Sequence, residues 1–349
     1  MQRPATRFPR TRGMLAPVLA ILLPQALGAA VPATMQAAAI DRAGGPEVLT
    51  LHTLPVPKPG PDEVLIAIDT AGVAVWDADI REHPDSIKHH RFPLVLGTDG
   101  SGVVAAVGVR VRGYTVGEPV YAYSWDNPQG GFYAQYVAVP AKNVGHVPPG
   151  MALGDAGAIG TTGLTAIQGI DDALHLTAGE TVIIHGAAGG VGTLAVQFAK
   201  LRGARVLATA SGADGAAFVK ELGADAVIDA RHDDVTAAAR AFAPGGIDAV
   251  LAFAGGETLD RCLAALRDGG RIAYPSGVEP EPKERAGARL IRYDAVAGPE
   301  EFARLNQAIT AAKLRVPIAA AYPLAGAAKA HERLKAGHVL GKIVLRTGG

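Results

Sequence analysis

The feature that most constrains the fold is a glycine-rich turn between an apolar run and an amphipathic run. The turn reads Gly186-Ala-Ala-Gly-Gly-Val-Gly192. The run before it, Thr181–His185, is short and rich in β-branched residues, which is typical of a buried strand. The run after it, Val191–Arg202, places large apolar residues at i, i+4 and i+7, which is typical of a helix. This order predicts a strand, a tight turn and a helix.

The same alternation continues towards the C-terminus. Apolar runs predict strands over residues 205–209, 226–228, 247–253 and 271–274, and amphipathic runs predict helices over residues 216–222 and 258–266. Strands and helices that alternate through short links form parallel βαβ units. We therefore expect a doubly wound parallel sheet in this part of the chain.

The flanking parts have a different character. Short apolar runs between glycines predict strands over residues 64–68, 103–107, 119–123 and 133–139. The segment Pro55–Pro61 contains four prolines and must be a surface connection, because proline lacks an amide donor. The C-terminal part predicts helices over residues 300–313 and 325–336 and a closing strand over residues 342–345. A mainly β region is therefore expected to precede the parallel sheet.

Composition excludes several classes of protein. Hydrophobic residues make up 49% of the 349 residues and charged residues 19%, which is too apolar for a disordered chain. The net charge is zero, so there is no basic surface excess for nucleic-acid binding. Cys262 is the only cysteine, which excludes an intrachain disulfide and a cysteine-rich zinc site.

Residues 1–34 allow two interpretations. Four arginines precede the apolar stretch Met14–Leu23, and small residues follow, as in a secretory signal. Alternatively, translation starts at Met35, which begins a strand-like run. The stretch is shorter than the roughly 20 residues that a membrane helix needs, so no stable membrane span is expected. A start at Met35 predicts a cytoplasmic protein, which is the slightly favoured interpretation, whereas a true signal predicts export.

The glycine-rich turn predicts a dinucleotide site. Glycines permit a tight turn and close approach of a pyrophosphate, and the helix N-terminus favours its negative charge. The simpler alternative is an ordinary glycine-rich turn. NAD sites usually carry an acidic residue at the end of the second strand, but here that strand ends in Ala208-Thr-Ala-Ser211. Ser211 can bond a 2′-phosphate, so NADPH is favoured over NADH.

Several motifs resemble the medium-chain dehydrogenase/reductase superfamily, and among its branches the zinc-independent quinone oxidoreductases. The matching segments are Pro93–Val104, Gly131–Tyr136, Gly163–Ala166, His185–Gly192, Ala195–Lys200 and Ala336–Leu345. The resemblance implies an α/β fold in which a Rossmann domain is inserted in a chaperonin-10-like, mainly β domain. It implies a substrate domain of residues 35–164 and 298–349, a Rossmann domain of residues 165–297, a cofactor in the cleft between them, and a homodimer.

Two ligands of the catalytic zinc in related enzymes are replaced here. The first ligand, a cysteine, corresponds to Ala74, and the second corresponds to Thr98 in Gly97-Thr-Asp99. The four-cysteine structural lobe is absent as well. A catalytic zinc ion normally needs three protein ligands, so no metal is expected. His83, His89 and His90 lie on a polar segment that we interpret as a solvated loop.

The chain also departs from the quinone reductases. Ala74 and Asp79 stand where many of them carry a substrate-facing asparagine and tyrosine. The lysine that commonly reaches the 2′-phosphate corresponds to Gly215, and a tyrosine corresponds to Ala230. Arg231 is then the candidate replacement cation.

The predicted site comprises two groups of residues. Trp76 and Tyr123 are the candidate substrate-pocket residues, with Tyr123 or water as proton donor. Tyr121 and Trp125 also lie in segments expected to line the cleft, whereas Asp77, His331 and Lys342 are expected to be structural. The candidate cofactor contacts are Thr165, Gly186, Ala187, Ala188, Gly189, Gly190, Val191, Gly192, Ser211, Arg231, Ser276, Gly277 and Val278.

These observations predict an NADPH-dependent, zinc-independent oxidoreductase that transfers hydride to a small-molecule acceptor, either a quinone or an α,β-unsaturated carbonyl. One alternative is an alkenal or enoyl-thioester double-bond reductase. The other alternative is a non-catalytic NADPH-binding protein. It stays open because the substrate-facing asparagine and tyrosine of many quinone reductases are replaced here by Ala74 and Asp79.

Overall fold

The computed structural model describes residues 1, 30–88 and 90–348. The two interpretations of the N-terminal extension concern mainly residues 2–29, which lie outside the described residues, as does His89. No helix in the described part of the chain is long and apolar enough to cross a membrane.

The central part of the chain forms the predicted parallel sheet, with six strands, of which the last was not predicted. Its strands are β9 (Thr181–His185), β10 (Arg205–Ala210), β11 (Ala226–Asp229), β12 (Ile247–Ala252), β13 (Leu266–Pro275) and β14 (Arg289–Tyr293). The spatial order is β11-β10-β9-β12-β13-β14. The chain therefore adds β10 and β11 on one side of β9 and β12 to β14 on the other side, so the strand order reverses at β9. The linking helices are α4 (Gly190–Leu201), α5 (Gly212–Glu221), α6 (Val235–Phe242) and α7 (Glu257–Ala264). This order is that of a dinucleotide-binding sheet.

The flanking parts of the chain form two further sheets. The seven-stranded sheet is built from β3 (Glu63–Val73), β5 (Asp99–Val107), β6 (Pro119–Tyr123), β7 (Tyr136–Pro140), β8 (Val144–His146), β15 (Ile318–Pro323) and β16 (Lys342–Arg346). The three-stranded sheet contains β1 (Thr34–Ile40), β2 (Thr50–Pro55) and β4 (Leu94–Val95). Because β16 pairs with β3, the C-terminus closes a sheet that the N-terminal part began.

Five helices connect and cover these sheets: α1 (Val75–Glu82), α2 (Leu153–Ala156), α3 (Gly160–Gln168), α8 (Pro299–Ala312) and α9 (Ala327–Lys335). The boundary expected between residues 164 and 165 falls inside α3, which packs against α4 as well as β5 and β6. All nine residues of α3 are buried. This helix therefore couples the parallel sheet to the seven-stranded sheet.

One predicted strand is divided between two sheets. The run 133–139 was expected to be continuous, but β7 begins only at Tyr136. Residues before it pair with β1 instead: the amide of Ala38 donates to the Tyr133 carbonyl at 2.7 Å, and Ala37 bridges Ala134. The predicted helix over residues 258–266 likewise ends at Ala264, because Leu266 already belongs to β13.

Candidate active site

The glycine-rich turn joins β9 to α4 at the carboxyl edge of the parallel sheet. Gly186 has a φ of 78°, a left-handed conformation that glycine adopts without strain. Gly189 is the N-cap of α4, which begins at Gly190 and is 12 residues long. On the sheet side, the Gly186 amide donates to Thr209 Oγ1 at 3.2 Å. The turn therefore presents a helix N-terminus where the strand order reverses, a place that favours a bound phosphate.

Two glycines of the turn are required for different reasons. A Cβ atom on Gly192 would lie 2.6 Å from Ala187 Cα and still closer to the Gly186 carbonyl, so a side chain there would force the helix away from the turn. A Cβ atom on Gly189 would meet only the Gly186 carbonyl, at an ordinary 3.5 Å. The folded protein thus has room for a side chain at Gly189, in the place where a pyrophosphate would approach the backbone. The turn fits a dinucleotide.

The end of the second strand carries the next candidate contacts. Ser211 is the N-cap of α5, and Gly212 follows with a φ of 79°. Asp229 Oδ1 accepts hydrogen bonds from the amides of Gly212 and Arg231, both at 3.0 Å. A hydrogen bond from His232, together with these amides, lowers the pKa of Asp229 to about 2. Ser211 and Arg231 therefore lie on two neighbouring turns, which the ionised Asp229 carboxylate links through the amides of Gly212 and Arg231.

The predicted substrate-side aromatics form a cluster beside β5 and β6. The indole rings of Trp76 and Trp125 have centroids 6.3 Å apart, and Trp76 Nε1 donates to Thr98 Oγ1 at 3.0 Å. Tyr123 is half-buried and lies opposite Asp99 in the β5–β6 pair. Burial raises the pKa of Tyr123 to about 12, helped by the nearby Asp99 carboxylate. Tyr123 is therefore a weaker proton donor at neutral pH than an ordinary phenol.

Tyr121 lies in a segment that was expected to line the cleft, but its side chain does not line this cluster. It is fully buried, its hydroxyl donates to Asn306 Oδ1 at 2.7 Å, and its ring packs edge-on against Phe302 at 5.2 Å. The helix α8, which the sequence analysis did not place against β6, covers this side chain. Tyr121 therefore belongs to the hydrophobic core.

A buried ion pair lies between the aromatic cluster and the glycine-rich turn. Lys342 Nζ is 3.9 Å from Asp99 Oδ1 and 5.7 Å from the centroid of the Trp76 ring. Lys342 is 6% exposed and Asp99 is not exposed at all. The residue before the lysine, Gly341, donates its amide to the Ala188 carbonyl at 2.9 Å. The sequence analysis interpreted Lys342 as structural. No residue pattern around Lys342 predicts that it lies close to both the aromatic cluster and the glycine-rich turn.

A second polar network lies behind the cluster. Asp77 Oδ2 accepts from the Ala74 amide at 2.8 Å, which confirms the expected role of Asp77 as a partner of backbone amides, and from the Tyr133 hydroxyl at 2.9 Å. The Tyr133 oxygen is 3.1 Å from His331 Nε2, and an N–H of Arg81 donates to His331 Nδ1 at 2.6 Å. Burial raises the pKa of Asp77 to about 7 and lowers that of His331 to about 4. His331 is thus a buried, neutral link in this network.

Comparison with known proteins identifies the family. The family model "Alcohol dehydrogenase GroES-like domain" matches residues 60–149, and "Zinc-binding dehydrogenase" matches residues 222–345. The quinone oxidoreductase of Lama guanicoe is 32% identical over 328 residues, covering 89% of this chain and 97% of the relative. The chain belongs to the medium-chain dehydrogenase/reductase superfamily, in its quinone oxidoreductase-like branch. It is an oxidoreductase of that family.

Solved structures of this superfamily superpose closely on the chain. A crystal structure of an NAD-dependent alcohol dehydrogenase has a TM-score of 0.83 and 31% identity, covering 90% of this chain and 100% of the other. A mycobacterial protein solved in complex with NADPH has a TM-score of 0.80 and 32% identity, with the same coverage. These likenesses show the Rossmann-type sheet joined to a GroES-like domain. Because one neighbour is named for NAD and the other for NADPH, the choice of cofactor depends on this chain's own residues.

The two residues that the sequence analysis matched to zinc ligands, Ala74 and Thr98, do not offer a zinc donor set. Ala74 has no donor atom, and the Thr98 hydroxyl already accepts the Trp76 N–H. Across residues 30–88 and 90–348 there is no cluster of three or more His, Cys, Asp or Glu side chains that could hold a metal ion. Of the predicted loop histidines within that range, His83 is exposed and His90 is half-buried. The residues present do not fit a catalytic zinc ion.

The remaining cofactor candidates lie on two segments of this dehydrogenase/reductase. Thr165 is buried in α3 and donates its hydroxyl to the Thr161 carbonyl at 2.8 Å. Ser276 follows β13 and donates to Asp294 Oδ2 at 2.9 Å. Gly277 has a φ of 86° and Val278 is buried. The segment from Ser276 to Val278 leaves the parallel sheet at the same carboxyl edge as the glycine-rich turn. The hydroxyl proton of Thr165 is committed to Thr161, so its oxygen can only accept a hydrogen bond from a cofactor.

Proposed function

We propose that the protein is an NADPH-dependent, zinc-independent oxidoreductase that transfers hydride to a quinone or an α,β-unsaturated carbonyl compound. The observation that carries this proposal is the glycine-rich turn, which is hydrogen-bonded through Ala188 to Gly341 and so lies next to Lys342 and the tryptophan cluster. The domain division of the superfamily, residues 35–164 with 298–349 around residues 165–297, is part of the same proposal.

The protein's own residues bind and orient the reactants. Bound NADPH supplies the hydride from its nicotinamide ring. The α4 N-terminus and the turn amides would hold the pyrophosphate, while Trp76 and Trp125 would provide a flat apolar surface for a conjugated acceptor. Tyr123 or a water molecule supplies the proton to the reduced acceptor. Orienting the two reactants in this way lowers the activation barrier for hydride transfer by several kcal/mol without any metal.

Binding through the turn is tested with a valine at Gly189. Gly189→Val should weaken NADPH binding at least tenfold, about 1.4 kcal/mol, because the side chain enters the path of the pyrophosphate. The folded state should persist, since the Cβ position there is not crowded. Gly245→Val is the matched control, because a Cβ atom at Gly245 meets nothing within 4 Å and the residue lies after α6, away from the turn. Unchanged NADPH affinity in a folded Gly189→Val protein would refute the assignment.

Cofactor choice is tested at the end of the second strand. Ser211→Asp should lower NADPH affinity far more than NADH affinity, because a carboxylate repels the 2′-phosphate. Arg231→Ala should weaken NADPH binding modestly. Kinetics with both cofactors for the wild type and the two variants decide the matter. A wild type that prefers NADH, with a preference that Ser211→Asp does not alter, would contradict the NADPH proposal.

The metal and acceptor parts of the proposal have separate tests. Dialysis against a strong chelator should leave turnover intact, and stoichiometric zinc lost together with activity would overturn this part. A cofactor-oxidation screen should give turnover with p-quinones or conjugated enones. Preference for short enals or enoyl thioesters would favour a double-bond reductase, and no turnover despite tight NADPH binding would favour a non-catalytic role. Light scattering tests the proposed homodimer.

A further inference from the structure

Asp294 lies in the short segment that follows β14, at the same carboxyl edge of the parallel sheet as the glycine-rich turn. Because β14 runs parallel to β13, Asp294 stands beside Ser276, the first residue after β13. The Ser276 hydroxyl donates to Asp294 Oδ2 at 2.9 Å, and Arg292 Nε donates to Ser276 Oγ at 2.9 Å. The Asp294 carboxylate is therefore held in place, and the residue is still exposed.

The helix α3 fixes this segment relative to the seven-stranded sheet. The Tyr293 hydroxyl donates to a carbonyl of α3 at 3.0 Å. The Gln168 side chain of α3 exchanges two hydrogen bonds with the backbone of Val296, at 2.8 and 3.0 Å. An amide at the other end of α3 donates to Asp99 Oδ2 at 3.0 Å. Asp294, between Tyr293 and Val296, is thus attached to the same helix as Asp99, which belongs to the seven-stranded sheet.

Asp294 lies close to Tyr123 of the proposed acceptor site. Tyr123 is the last residue of β6 and lies opposite Asp99 in the pairing of β5 with β6. Burial is the largest cause of the raised pKa of Tyr123, and the carboxylates of Asp99 and Asp294 raise it further. A carboxylate at the edge of the parallel sheet thus acts on a phenol of the seven-stranded sheet. Asp294 therefore stands beside the place where the proposed acceptor binds.

The neighbouring charges are paired, whereas that of Asp294 is not. Asp99 pairs with Lys342 at 3.9 Å. Arg292 pairs with Glu281 at 3.1 Å. Asp294 accepts a hydrogen bond from a neutral hydroxyl and forms no ion pair with any of the described residues. The edge of the proposed acceptor site therefore carries one uncompensated negative charge, which repels an anion and leaves a neutral molecule unaffected.

We propose that Asp294 is a specificity-determining residue of the acceptor site, which selects neutral quinones against quinones that carry a negative charge. This inference rests on the proposed function and adds a residue of the parallel sheet's edge to Trp76, Trp125 and Tyr123. The aromatic residues bind the ring system, and Asp294 discriminates between its substituents by charge. Because salt screens the repulsion between exposed charges, the discrimination weakens as ionic strength rises.

The test compares naphthoquinone with naphthoquinone sulfonate as acceptors, with NADPH as the reductant. For each acceptor, kcat/KM is measured for the wild type, Asp294→Asn and Asp294→Lys. Asp294→Asn should raise kcat/KM for the sulfonate about fivefold and leave that for naphthoquinone unchanged, and Asp294→Lys should raise the sulfonate value further. The KM for NADPH should stay the same in Asp294→Asn, because the asparagine oxygen still accepts from Ser276.

Asp268→Asn is the matched control for this comparison. It removes the same charge from an exposed residue at the amino end of β13, on the opposite edge of the parallel sheet. The ratio of the two kcat/KM values should therefore stay at the wild-type level in Asp268→Asn. Because Asp294 is exposed as well, all variants should fold, which their thermal transitions verify.

Several outcomes would overturn the inference. Equal changes for both quinones in Asp294→Asn would show that the carboxylate acts on the cofactor rather than on the charge of the acceptor. The same gain in Asp268→Asn, or a gain that added salt does not reduce, would also contradict it. Turnover of naphthoquinone with an unaltered preference in Asp294→Asn would refute this inference alone. Turnover of neither quinone by a wild type that binds NADPH would refute the quinone part of the proposed function together with it.

Discussion

Replacing Asp77 by asparagine should change how the stability of the protein depends on pH. Asp77 is fully buried, and its Oδ1 atom has no hydrogen-bond partner within the described structure. Its Oδ2 atom accepts from Ala74 and Tyr133, as an asparagine oxygen would. The substitution therefore keeps the acceptor and removes the charge.

The sign follows from the pKa in the two states. Burial raises the pKa of Asp77 to about 7 in the folded protein, from 3.8 in an unfolded chain. Between these values the folded protein holds a proton that the unfolded chain has released, so stability falls as pH rises. A difference of about 3 units at 1.36 kcal/mol per unit corresponds to about 4 kcal/mol, of which about 3 kcal/mol is lost between about pH 5 and about pH 8.

Urea unfolding of the wild type and Asp77→Asn at about pH 5 and about pH 8 measures this effect. The amide adds an unpaired buried N–H, which costs about 1–3 kcal/mol at either pH. The free energy of unfolding of the variant minus that of the wild type should therefore increase by about 3 kcal/mol from about pH 5 to about pH 8. The buried His331 and His185 have pKa values lowered to about 4 and make stability rise with pH in that range, but they act equally in both proteins. Asp79→Asn, on the exposed side of α1, is the control, and equal pH slopes for wild type and Asp77→Asn would refute the reasoning.

Three other substitutions or probes test the packing. Gly192→Ala should cost about 1–3 kcal/mol in urea unfolding, because the new Cβ atom collides with the backbone of Gly186. Lys342→Met should lower the free energy of unfolding by about 3–5 kcal/mol, because it leaves Asp99 as an uncompensated buried charge. Adding Asp99→Asn should recover most of that loss. Additive losses in the double variant would show that the two residues are not coupled. Cys262 should not react with a thiol reagent until the protein unfolds, because it is fully buried with a pKa raised to about 12, and fast labelling of the native protein would contradict this.

The parallel half of the protein and its glycine-rich turn follow from patterns among neighbouring residues. The strand expected at Thr181–His185 is β9 without change, and the helix expected at Val191–Arg202 is α4, displaced by one residue. These elements were predictable because a buried strand, a glycine-rich turn and an amphipathic helix are each encoded by neighbouring residues. The family motifs are equally local, so the superfamily was identifiable as well.

Contacts between distant residues could not be predicted from such patterns. The run from Tyr133 divides between two sheets because its first residues pair with β1, and periodicity carries no information about the pairing partner. His338 reaches Asp214 across 124 positions, and His331 meets Arg81 across 250. Such contacts arise because the C-terminal strand returns to a sheet begun near the N-terminus. The family resemblance implied this return of the C-terminal part, but no hydrophobic periodicity shows that it carries Lys342 towards the glycine-rich turn and His338 to the end of the second strand.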